Sequence, residues 1–238
     1  MWGIVAASSL VVGGALALVL PIGRRTLGLV MAFGTGVLIS AVAYELVLQA
    51  FETSAGEGGV GLGLFAGSLV FFTGDALIDR FGGSRRKHSG GAQAGGSGLA
   101  IVLGIVLDGI PESVVLGLTV LQGGTVSAAF LVAVFLSNLP EAVAATTGLV
   151  QAGWRRAQVL GLWVLVTTVC GMAALAGYAV FDAASPRTIA FVLAFAGGAI
   201  LTMLADTMMP EAFEHGGRLV GLYTTFGFAL AFGISALE

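Results

Sequence analysis

No charged side chain occurs from Met1 to Gly23, from Thr26 to Tyr44, from Ala157 to Phe181, from Thr188 to Ala205, or from Leu219 to Leu237. As a helix, an uncharged apolar run of about 20 residues matches the hydrocarbon thickness of a bilayer. In lipid the backbone polar groups must be satisfied internally, which a helix does by itself. Several such runs in one chain restrict it to an all-α, multi-pass membrane bundle. The composition agrees, with 57% hydrophobic and 10% charged residues over 238 positions and a mean hydropathy of +1.02. Little is left for a separate soluble domain, so residues 1–238 are read as a single transmembrane domain. The 38 glycines would weaken isolated helices, but in lipid small residues let helices pack closely. The lone Cys170 excludes an intrachain disulfide and argues against a cysteine-based metal site.

The apolar runs divide into eight expected spans, at 3–21, 27–49, 60–80, 98–121, 126–150, 157–181, 188–209 and 219–237. Of the 10 basic residues, Arg24, Arg25, Arg80, Arg85, Arg86, Lys87, Arg155, Arg156 and Arg218 fall in alternate connections, and only Arg187 falls in the others. By the positive-inside rule the basic side is cytoplasmic, and both termini are expected to be extracytoplasmic. A missed or extra helix would scramble this bias. The first run has no basic residue ahead of it, so it is expected to be a retained helix rather than a cleaved signal. One connection is longer and polar, the Gly- and Ser-rich stretch at about 81–98, expected to be a flexible cytoplasmic loop.

Two blocks place carboxylates inside apolar spans, each directly after a proline. They are Asp108-Gly109-Ile110-Pro111-Glu112 and Ser137-Asn138-Leu139-Pro140-Glu141. An ionisable group at that depth is costly and normally lines a pathway or a bound ion. Proline also frees the backbone carbonyl four residues earlier. Asp108 and Glu112 share one helix face about 6 Å apart, as do Ser137 and Glu141. Facing spans would thus gather Asp108, Glu112, Asn138 and Glu141, with Ser137 as a weaker donor. Three carboxylates in low dielectric repel one another unless protons or a divalent cation neutralise them. A lone intramembrane acid can be a structural hydrogen bonder. Two matched blocks, with no basic residue in any span centre, favour a cation site.

These blocks resemble the His-Asn-x-Pro-Glu-Gly motifs in the fourth and fifth spans of the ZIP (Zrt-, Irt-like) family of divalent metal transporters. The resemblance extends to eight spans, outward termini, a variable cytoplasmic loop after the third span, and a seventh span ending in Asp206-Thr-Met-Met-Pro210-Glu211-Ala-Phe-Glu214-His215. It implies transport of a divalent metal, zinc first. The departures are specific. Asp108 and Ser137 replace the motif histidines, and Gly109 stands where asparagine is usual. The sixth span, where the family often has a second-metal glutamate, holds no Asp, Glu or His between Ala157 and Phe181; Thr167, Thr168 and Cys170 are the nearest candidates. One metal site is therefore expected. Its oxygen ligands suit Mn2+, Mg2+ or Ca2+ and still accept Zn2+ or Fe2+.

Secondary candidates lie nearer the ends. Asp206, Glu211, Glu214 and His215 fall at the cytoplasmic end of the seventh span, either as a metal exit or as a solvated terminus. Glu45, with Glu52 and Glu57, lies toward the outer end of the second span, either as an entrance or as interfacial charge. Asp75 and Asp79 approach the cytoplasmic side beside Arg80. His88, among Arg85, Arg86 and Lys87, reads as a solvated loop residue; that basic cluster suits contact with anionic lipid.

The expected function is therefore transport of divalent metal (Zn2+, with Fe2+ or Mn2+ as alternatives) across a prokaryotic cell membrane, with no enzymatic activity and no prosthetic group. The expected partners are the lipid bilayer and the metal, with glycine-rich faces that permit a homodimer, and no nucleic acid. The alternatives are a metal-binding sensor that transports nothing and an intramembrane metalloenzyme. The enzyme would want histidine ligands, and no proposed span centre has one.

Overall fold

A computed structural model describes residues 1–54, 59–83, 98–123 and 127–237. Every regular element among them is helical. They are α1 (Trp2–Val19), α2 (Arg24–Thr53), α3 (Val60–Gly83), α4 (Gly98–Gly123), α5 (Ala128–Gln151), α6 (Arg156–Phe181), α7 (Pro186–Met203), α8 (Met209–Gly216) and α9 (Val220–Ser235). Seven helical stretches are long and apolar enough to cross a membrane, the last being a continuous 50-residue stretch, Pro186–Ser235. Glu57 and His88, and most of the polar 81–98 connection, lie outside the described residues.

The helices start and stop where local chemistry dictates. Ser127 and Ser185 cap α5 and α7 by accepting the Phe130 and Thr188 backbone N–H groups, and Pro186 opens α7 at a position that needs no N–H. Widened π-helical turns interrupt α2 at Val42–Leu48 and follow α7 at Leu204–Met208. Polar positions fall in both, Glu45 in the first and Asp206 in the second, as is common for such bulges. The seventh expected span is longer than the sequence suggested. Helix runs through Pro210, which follows closely on the widened Leu204–Met208 turn. It ends at Gly217, whose φ of 60° reverses the chain.

That reversal divides the 50-residue stretch into antiparallel legs. On the way down, Gly197 packs against Val42 and Leu46, Met208 against Gly34, and His215 against Gly28. On the way back Phe226 meets Phe33, Phe232 meets Tyr44, and Ser235 reaches Glu45. Thus α7–α8 runs antiparallel to α2, and α9 runs parallel to it.

The helices form two groups. In one, α2 packs on α9 and α3 on α7. In the other, α1 packs on α5 and α6, and α4 packs on α6. The groups meet chiefly where α2 crosses α5, with Gly34 against Ser137 and Pro140. Among the described residues, Arg24, Arg25, Arg80, Arg155, Arg156 and Arg218 fall at one end of the bundle and Arg187 falls at the other.

Candidate functional site

Both acid–proline blocks lie within unbroken helices, Pro111 in α4 and Pro140 in α5. Neither proline can donate to the carbonyl four residues earlier, so Leu107 and Leu136 lose their usual helical partners. Packing tolerates this because other helices cover both segments. Asp108, Glu112 and Glu141 are 3%, 2% and 6% exposed, and Asn138 is 5% exposed. Burying three carboxylates within one helix group is a large desolvation cost that sequence design normally avoids outside functional sites.

Asp108 and Gly109 of α4, Asn138 and Glu141 of α5, Leu10 of α1 and Trp163 of α6 line one cavity. Its free volume of about 10 Å3 is close to the least that admits a single water-sized particle. The cavity is therefore ion-sized, with two carboxylates and one amide on its wall. Its remaining wall is apolar, which keeps out bulk water and strengthens any charge interaction inside.

The other two expected central residues stand apart. Ser137 is fully buried, its Cα packs at Gly34 of α2, and its hydroxyl donates to the Val134 carbonyl of its own helix at 3.1 Å. Glu112 lies one turn along α4 from Asp108 and does not line the cavity. Cys170 sits among the Gly109 carbonyl, Ser113 and Glu112. The Ser113 hydroxyl donates to that same carbonyl at 2.7 Å. Among the described residues no three Asp, Glu, His or Cys side chains are grouped closely enough to hold one metal ion.

This packing accounts for the glycine at position 109. A Cβ there would stand 2.8 Å from the Cys170 sulfur, so α6 occupies the space a larger side chain would need. Trp163 was not singled out from sequence. Its indole N–H donates to Thr146 at 2.7 Å, locking the ring as a cavity wall. An apolar span with a single tryptophan carries no local signal for that role.

The end clusters divide. Glu211 is buried and its carboxylate pairs at 3.2 Å with the His215 side chain, which is 7% exposed, whereas Asp206 and Glu214 are exposed. Four residues expected as one exit group are thus split between two faces. Glu45 accepts the hydroxyls of Ser127, at 2.8 Å, and of Ser235. It ties the middle of α2 to the start of α5 and the end of α9, contacts that no sequence pattern announced. Asp75 is half-buried on α3, and Asp79 and Glu52 are exposed.

No protein-family model matches the chain, and no curated protein matches it either.

Proposed function

We propose that this chain is a divalent-cation transporter of the ZIP type, with eight membrane crossings and both termini outside. The observation that carries the reading is the meeting of Asp108, Asn138 and Glu141, from two antiparallel helices, on one ion-sized cavity buried in an apolar bundle. The alternation of helix directions, with the basic residues gathered at one end, supports eight crossings and a cytoplasmic basic face.

In this reading the cation is cargo. Asp108 and Glu141 supply charge, and Asn138 supplies a neutral oxygen that fixes position without adding repulsion. Glu112, a turn away, receives the cation on its way through or completes the shell when α4 shifts. The helix group that holds the cavity moves against the other group and carries the site toward each side in turn, as one bundle moves against another in other carriers. When the cation leaves, protons on the carboxylates relieve their repulsion. Zn2+ is the first expectation, with Fe2+ and Mn2+ as alternatives; the oxygen-only wall favours the harder ions more than a histidine site would. The setting is a prokaryotic cell membrane.

The absence of three assembled acidic ligands among the described residues favours one second reading, a metal-binding protein that transports nothing. The deciding experiment is uptake of Zn2+, Mn2+, Fe2+ and Cd2+ into proteoliposomes, with parent protein beside a Glu112→Gln/Glu141→Gln variant. Uptake by the parent that disappears in the variant is expected. Metal binding in detergent with no uptake of any ion would replace the transporter with the second reading.

A further inference from the structure

We propose that a groove at the basic end of the bundle, between the ends of α1, α5 and α6, binds one anionic phospholipid. The groove has a volume of about 270 Å3 and is separate from the carboxylate cavity. Leu18, Leu20 and Val150 form its apolar wall; Thr147, Gln151 and Arg156 form its polar end. Because α1 ends at Val19, α5 ends at Gln151 and α6 begins at Arg156, the groove straddles the level where apolar helix gives way to polar connection. That is the depth at which a phospholipid changes from acyl chain to headgroup.

Charge selects the kind of lipid. Arg156 is exposed, and its guanidinium makes no ion pair among the described residues. The same holds for its neighbour Arg155, and for Arg24 and Arg25, which open α2 two residues beyond another wall residue, Ile22. Among the described residues, no carboxylate lines the groove. A planar guanidinium meets a phosphate through two parallel hydrogen bonds, and basic pockets between membrane helices suit anionic headgroups. A zwitterionic headgroup would bring its own cation to the same arginines and gain less. A soluble phosphate would leave the leucine and valine wall uncovered. The combination of apolar wall and unshared positive charge therefore fits phosphatidylglycerol better than either.

The test counts phospholipids bound to the intact detergent-solubilised chain by native mass spectrometry, with phosphatidylglycerol, phosphatidylcholine and glycerol 3-phosphate as probes. Phosphatidylglycerol is expected to bind at least about tenfold more tightly than phosphatidylcholine, and Arg156→Gln to lower that preference roughly fivefold. Arg156→Lys is expected to keep most of it. Val150→Trp, an exposed position whose new ring fills the groove, is expected to lower phosphatidylglycerol binding with every arginine intact. Equal binding of the two lipids would overturn the proposal, as would a preference that survives both Arg156→Gln and Val150→Trp. Displacement of phosphatidylglycerol by an equal concentration of glycerol 3-phosphate would also overturn it, by assigning the arginines to free phosphate.

Discussion

The two helix groups are packed by the same small residues yet bury opposite chemistry. In the group of α2, α3, α7 and α9, glycines bring backbone directly onto backbone. A Cβ on Gly67 would stand 1.8 Å from the Phe195 carbonyl oxygen, and one on Gly36 would stand 1.9 Å from that of Thr224. The core there is large and aliphatic, built on Met31, Leu38, Leu46, Leu193 and Ile200. The group of α1, α4, α5 and α6 is as closely packed, but its centre holds Asp108, Glu112, Asn138 and Glu141. Lipid tails are as apolar as leucine, so close packing rather than hydrophobic exclusion joins helices in both groups. What separates them is that the second gathers three buried carboxylates, a desolvation cost that a bound cation would offset, whereas the buried Glu211 on the α2 side is paired with His215. One group reads as frame, the other as carrier of the site.

The largest expected effect breaks the carrier side of this contrast. Glu112→Gln/Glu141→Gln should lower metal uptake roughly a hundredfold, about 2.7 kcal/mol of lost cation stabilisation, while the melting temperature holds or rises as buried charge is removed. A variant that transports like the parent would end the site assignment. Next in size, Gly67→Val in the frame should cost about 2 kcal/mol by overpacking against the Phe195 carbonyl. Thermal unfolding in detergent reads that loss, and uptake per folded molecule should stay within about twofold. If uptake collapsed while the fold survived, the division into frame and carrier would be wrong.

Two smaller effects sharpen the boundary. Trp163→Phe removes the indole bond to Thr146 and should cost about 1 kcal/mol. It should also weaken metal binding a few-fold, measured by calorimetric titration, because a cavity wall is loosened. Unchanged metal binding would make the tryptophan a core residue only. Glu45→Gln keeps one acceptor for Ser127 or Ser235 and should cost less than about 1 kcal/mol, with uptake nearly unaffected. A tenfold fall in uptake at unchanged stability would instead make Glu45 an entrance ligand rather than a brace.

Much of the architecture was legible in the residues. The apolar runs located the long helices, most of them to within a few positions, because a membrane helix is specified locally by length and apolarity. The acid–proline blocks pointed to Asp108, Glu112, Asn138 and Glu141, with Ser137, around one space; all five are buried, but only Asp108, Asn138 and Glu141 line the cavity. Three features escaped. The seventh span continues through Pro210 to Gly216 because the proline follows closely on a widened turn, where the regular bonding pattern is already interrupted. The exit cluster splits because Glu211 and His215 face inward while Asp206 and Glu214 face outward. Ser137 lies on the contact with α2 because Gly34 lets the helices come together there.

Sequence by itself determined an all-helical membrane chain, the side on which its basic residues gather, and the depth of its carboxylates. Each follows from properties a residue carries into any fold, namely apolarity, charge and period along a helix. Tertiary structure alone decided that Glu112 stands outside the cavity that Asp108 and Glu141 share, that Trp163 closes it, and that Glu45 is held by two serines distant in the chain. Those outcomes depend on how closely neighbouring helices approach, set by glycines and side chains on elements far apart in sequence, which no local pattern encodes.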